Sequence, residues 1–252
     1  MKSLINIEQY KFLLLISSLW IFSCGNEDGA LNEFQLGYHY IPLAIGQNIV
    51  YQTDSIYYQK SNNVFRDTSR SFIREFVSDT FRNAVGDLVF NVEIYYRKNE
   101  AQEWDLIDNS FVTKTKTNVI RQDNGLNYVK MIFPVLKNKS WNGNIQLDQN
   151  NELKINGEFF KPFKYWNGNS YYYREISDNL LIGNITYNKV VTVEESDYED
   201  DLNRILSISR YAQDVGLVYR ELWILTTENF DLSLPWEERA HYGVILKQTR
   251  IQ

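Results

Sequence analysis

Cysteine is nearly absent: Cys24 is the only one in 252 residues, so no intramolecular disulfide can staple this chain. Histidine is almost as scarce. His39 and His241, with Cys24, form no group at zinc-binding spacing. No Gly-x-Ser-x-Gly elbow, His-Glu-x-x-His pair or phosphate-binding glycine-rich loop occurs, so the common hydrolytic and nucleotide chemistries lack their residues. His39, between Tyr38 and Tyr40, reads as a surface or hydrogen-bonded residue, because a histidine base needs an orienting partner. The expectation is a protein that is not an enzyme, with no catalytic residue, cofactor or metal. A basic excess is also missing: the net charge is −6, which argues against nucleic acid as a partner. The longest apolar stretch, Phe12 to Phe22, has 11 residues and is too short to span a bilayer.

That stretch nevertheless carries an address. Lys2 and Lys11 precede it, small Ser23 follows, and then comes Cys24, the order of a secretory signal with a cut before the cysteine. The alternatives are an ordinary signal with a coincidental cysteine and an uncleaved anchor. A lone exported thiol is a liability, whereas a lipidated one is not. The Ser23-Cys24 junction resembles the lipobox of bacterial lipoproteins, and the resemblance implies acylation of Cys24 (diacylglyceryl with palmitate-type chains). Residues 1–23 are then a signal peptide, 24–36 a lipidated polar tether and 37–252 a single domain. Loss of residues 1–23 removes Lys2, Lys11 and Glu8, a net +1, and leaves −7 on 229 residues. Membrane contact is expected through acyl chains rather than through charge. The expected address is the cell envelope, lipid-anchored at the outer membrane and facing the periplasm or the surface.

Aromatic residues make up 15% of the chain, with 18 Tyr, a composition that favours strands. Leu88 to Arg97 is the cleanest run: Leu88, Phe90, Val92, Ile94 and Tyr96 share one face. Further strands are expected at 48–58, 69–81, 111–117, 128–133, 171–176, 185–194, 205–211, 217–226 and 243–251. Turn signals separate them, among them Asn62-Asn63, Asn124-Gly125, Asn142-Gly143, Asn156-Gly157 and Asn167-Gly168. Short helices are expected only at 198–203 and after Pro235. The fold class is all-β, mainly antiparallel: a curled meander closing as a barrel, half-barrel or sandwich, since a flat sheet leaves reactive edges.

Landmarks run through the whole domain: Tyr40-Ile41-Pro42-Leu43-Ala44-Ile45-Gly46, Val50-Tyr51-Gln52-Thr53-Asp54, Ile132-Phe133-Pro134-Val135, Lys139-Ser140-Trp141-Asn142-Gly143-Asn144, Asp214-Val215-Gly216-Leu217-Val218-Tyr219, and Tyr242-Gly243-Val244-Ile245-Leu246. In these the chain resembles a family of uncharacterised envelope lipoproteins of Bacteroidota, with Ile41 where that family usually has an aromatic. The resemblance implies the address and a single β-rich domain. It implies no activity.

Three surface features are candidates for binding. Trp141, Trp166, Tyr171 and Tyr173, around two Trp-Asn-Gly-Asn copies at 141–144 and 166–169, could stack on sugar rings; the alternative is that they fill a barrel interior. The acidic run 194–201 could chelate calcium, which wants about six to eight oxygens, but reads more simply as a solvated loop. Asp54-Ser55-Ile56 matches a three-residue pattern of envelope O-glycosylation. Function is therefore expected to be structural or ligand-binding, with envelope proteins or a glycan as candidate partners. The alternative is a carrier whose β cup holds an apolar ligand.

Overall fold

Runs that alternate apolar and polar residues become strands, because an extended backbone puts every second side chain on one buried face. A computed structural model describes residues 32–59, 65–155, 157–166 and 171–252. Glu33–Gln252 form one compact unit, starting just ahead of the expected Gly37. The signal peptide, Cys24, the tether through residue 31 and the turn signals at 62–63 and 167–168 lie outside the described residues.

The strands are β1 (Asn48–Gln59), β2 (Phe65–Arg82), β3 (Leu88–Arg97), β4 (Asp105–Lys114), β5 (Asn118–Asp123), β6 (Leu126–Ile132), β7 (Ser140–Trp141), β8 (Leu153–Ile155), β9 (Glu158–Phe160), β10 (Tyr171–Ser177), β11 (Leu180–Ile182), β12 (Ile185–Tyr187), β13 (Val190–Glu199), β14 (Asn203–Ala212), β15 (Gly216–Thr226) and β16 (Tyr242–Arg250). Helices are limited to α1 (Glu33–Leu36), α2 (Trp236–Arg239) and two 3-10 turns, Tyr38–Tyr40 and Pro162–Lys164.

Twelve strands form one antiparallel sheet in the order β6-β5-β4-β3-β2-β1-β16-β15-β14-β13-β10-β7. Most neighbours in that order are neighbours in sequence, so the sheet is a meander in which β1 and β16 meet, from Tyr51↔Arg250 to Tyr58↔Gly243. The two ends of the order also touch. Val129 N–H donates to the Gly143 carbonyl at 2.8 Å, Trp141 Nε1 donates to the Val129 carbonyl at 2.7 Å, and Ile132 N–H donates to Tyr173 Oη at 2.9 Å. The sheet is a nearly closed barrel, which decides among the three closures the sequence left open. Closure removes the exposed edges. Bulges in β2, β4, β6, β10, β13 and β15, each a local register shift, supply bending and extra twist.

Both ends of the barrel are covered by chain that is not in the sheet. At one end the segment from α1 to β1 crosses over: Lys114 Nζ donates to the carbonyls of Tyr38 and Ile41, both at 2.8 Å, and Tyr38 packs edge-on against Phe133. At the other end the β6–β10 crossover folds over the mouth. Phe160 meets Tyr242, Phe163 meets Tyr128, and Tyr165 stacks on Tyr198. Outside the barrel, α2 covers Tyr58, Leu225 and Ile245, and the β11–β12 hairpin covers Val190, Ala212 and Val218.

Several local expectations change. β3 has the expected bounds, and α2 starts from Pro235 as expected. Residues 198–203 are not helical; they end β13, turn and start β14. The expected 185–194 strand is two strands, β12 and β13. On β15 Val218 is the extra residue opposite Arg210–Tyr211, and beyond it Arg220, Leu222 and Ile224 face inward while Leu225 lies under α2. Asn124-Gly125 is a tight hairpin turn with φ of 49° and 77°, the backbone that Asn-Gly favours. Asn142-Gly143 is not such a turn. Gly143 is needed because a Cβ there would fall 2.4 Å from the Tyr171 ring.

Candidate functional site

The barrel is not filled. Between its two covers lies a cavity of about 520 Å³, within the size range of small-molecule sites. Aliphatic side chains form much of its wall: Ile73 and Val77 from β2, Val92 and Ile94 from β3, Val112 from β4, Leu222 from β15 and Leu246 from β16. Each is an inward position of the period-two pattern. The lining residues that are exposed, Ile107, Asn124, Lys154 and Gly157, cluster at the end under the β8–β9 hairpin and mark the mouth.

A belt of charged and hydroxyl groups interrupts the apolar wall. Arg121 of β5 is its most fully bonded member. Its guanidinium donates to both Glu75 oxygens at 2.7 and 3.0 Å, and its Nε donates to Asp123 at 2.8 Å. Ser110 donates to the same Asp123 carboxylate. Burial alone would raise the Asp123 pKa. The Arg121 charge and the bonds from Ser110 and Arg121 outweigh it and hold Asp123 at about 2.

The sign of the consequence follows. A carboxylate whose folded pKa lies below its ordinary 3.8 stabilises the fold above that value and ceases to do so as the pH falls towards about 2. The shift corresponds to about 2 kcal/mol, with the Asp123 side chain only 20% exposed. Wild-type stability should therefore drop between about pH 4 and 2. Asp123→Asn should lose stability at neutral pH and show a shallower drop over that interval in urea titrations. An unchanged acid limb in the variant would count against this assignment.

A second pair starts from the neighbouring strand β6. Lys130 Nζ lies 3.1 Å from Glu195 Oε1, and the carboxylate accepts from Ser207 at 2.8 Å and Ser209 at 3.0 Å. Glu195 is the extra residue of the β13 bulge: Glu194 pairs with Ile208 and Ser196 with Ser207, leaving Glu195 turned inward. Burial pushes the Lys130 pKa down and would push Glu195 up, but the charges of Lys130 and Arg220 keep Glu195 below its ordinary value. Arg220, Tyr128 and Tyr211 complete the belt.

The features singled out in the sequence fall elsewhere. Trp166, Tyr171 and Tyr173 are 2%, 0% and 0% exposed, so their rings are core and present no face to a sugar. Trp141 is half-buried against Tyr171 and Tyr173. The acidic run 194–201 is not a solvated loop but mostly strand, with Glu194, Asp197 and Glu199 on the outer face and only Glu195 turned inward. Glu194 pairs with Arg174, Asp197 with Arg204, and Glu199 with Arg204 and Arg239. Among the described residues no group of three or more His, Cys, Asp or Glu converges on a metal position. Ser55 is buried, and its hydroxyl lies 2.7 Å from that of Ser69, so a glycan has no access to it in this fold. His39 bonds Asp214 at 2.8 Å, and His241 accepts from the Glu228 N–H at 2.9 Å.

What the sequence reading missed is the belt itself. Its signal was present as charged residues at inward positions of strands, but a charge there mimics a loop. The chain matches no known family model, no curated protein and no solved structure.

Proposed function

We propose that this protein is a lipid-anchored envelope protein, without catalytic activity, whose barrel lumen holds an amphipathic small molecule. The observation that carries the reading is the cavity of about 520 Å³, apolar on most of its wall and polar along one belt. A barrel kept only for structure has reason to fill its interior, since an empty lumen forfeits packing contacts. The outer wall supports a water-facing barrel rather than one embedded in lipid. It carries Asp54 with Arg70 and Glu221 with Lys247, the reverse of a barrel that faces a bilayer. Attachment through Cys24 in the manner of an envelope lipoprotein, by the outer membrane, is part of the proposal.

The full-length protein, purified from its native membranes and extracted with organic solvent, should release about one non-covalent amphiphile per chain, counted by mass spectrometry. Ile94→Trp, which places a large ring in the lumen, should lower that count while retaining cooperative unfolding. Cys24→Ala should move the protein to the soluble envelope fraction with its ligand still bound, because anchor and cavity are separate. An empty wild-type lumen that also takes up no alkyl probe would overturn the binding reading. A fully membrane-bound Cys24→Ala would overturn the anchor.

A further inference from the structure

The cations of the lumen are not equivalent. Arg121 is saturated by Glu75 and Asp123, and Lys130 by Glu195. The carboxylates Glu75, Asp123 and Glu195 are all engaged by those two. Arg220 lines the same cavity with no ion pair and no hydrogen bond among the described residues, and its Nε is buried without a partner. Other arginines with a buried, unbonded Nε rest on aromatic rings, as Arg74 does on Tyr95 and Arg210 on Tyr219. Among the described residues Arg220 has no such ring.

A guanidinium cannot shed its proton to escape burial; Glu195 feels its charge but is bonded by Lys130, so the N–H donors of Arg220 themselves call for an anionic acceptor. The pocket around it suits an anion. Tyr128 and Tyr211 also line the cavity, and both phenols feel the Arg220 charge. Burial holds both above the ordinary phenol value, so they remain protonated donors. Outside the polar belt much of the wall is aliphatic.

We propose that Arg220 anchors the head group of the lumen ligand, which is therefore an anionic amphiphile: a carboxylate or phosphate head bonded by Arg220, with an alkyl tail along Val77, Val92 and Val112. This rests on the binding reading above and adds the sign of the ligand's charge. Guanidinium recognises both heads through paired N–H donors, and the ligand's source distinguishes them.

The test uses the full-length lipidated protein, released from detergent in native mass spectrometry, with palmitate, hexadecanol, hexadecylamine or phosphatidylglycerol added as probes. Wild type should retain an anionic probe at least about tenfold better than hexadecanol or hexadecylamine, each tenfold being one step in the binding constant. Arg220→Gln should lose that preference yet hold hexadecanol as wild type does, and Arg220→Lys should recover part of it. Retention of palmitate identifies a carboxylate ligand and retention of phosphatidylglycerol a phosphate one; dependence of either on Arg220 supports the anchor. Equal retention of palmitate and hexadecylamine by wild type would overturn it even if the variants failed to fold. So would unchanged anion retention in a folded Arg220→Gln. If wild type retains none of the four probes, the lumen-binding reading itself fails, not only the assignment of Arg220.

Discussion

Lys130→Met should destabilise the fold by about 3–5 kcal/mol, and adding Glu195→Gln to it should restore most of the loss. The reason lies in what remains behind. Glu195 is fully buried and Lys130 nearly so, and among the described residues the ammonium is the cation bonded to that carboxylate. Without it the charge loses its bonded cation, and hydroxyls such as those of Ser207 and Ser209 with the more distant field of Arg220 do not replace water. Removing both partners leaves no buried charge, and a well-packed neutral pair is often no less stable than an ion pair.

The pH dependence separates this from a simple packing defect. In wild type the Glu195 pKa lies below its ordinary 4.5, so its contribution is present above that pH and fades on acidification. In Lys130→Met, burial should dominate and raise the pKa. The variant's stability would then be greatest in acid and fall as the pH rises through the new value. Urea titrations from pH 3 to 8 should therefore show wild type losing stability only at the acid end and the variant losing it as the pH rises. A loss below about 1 kcal/mol with parallel slopes would remove the pair from the fold's supports.

The same pair shows how far the sequence could be read. The strand-rich meander was legible because period-two apolar runs such as Phe90–Tyr96 and hairpin signals such as Asn124-Gly125 are local. The belt was not legible. β5 presents Val119, Arg121 and Asp123 inward, and two charges in three inward places look like solvent-facing positions. The run from Glu194 to Asp201 reads as a hydrated loop by composition. What makes Glu195 a lumen residue is a one-residue bulge, and its partner lies on β6, 65 residues away in sequence. Neither fact leaves a mark on local pattern. Barrel closure is similar: Val129 to Gly143 is a short step along the chain, but joining them across the two ends of a twelve-strand order requires the whole sheet.

Trp166→Ala should cost about 3–5 kcal/mol, the usual price of emptying a buried aromatic site. Trp166 packs against Phe163 and Tyr171 with ring centroids 5.7 and 6.4 Å away, and its Nε1 donates to the Glu195 carbonyl at 3.0 Å. It thus ties the β6–β10 crossover to the bulge that turns Glu195 inward. Trp166→Phe keeps most of the ring volume and loses the hydrogen bond, for which about 1–3 kcal/mol is expected because a buried carbonyl is left without its donor. The other Trp-Asn-Gly-Asn copy provides the contrast. Trp141 is half-buried on the closing seam, with its Nε1 bonded to the Val129 carbonyl, so Trp141→Ala should cost less than Trp166→Ala. Guanidinium unfolding of the three variants measures the order directly. If Trp166→Ala instead unfolds within about 1 kcal/mol of wild type, the ring is not a structural tie, and a surface role for this aromatic cluster would have to be reopened.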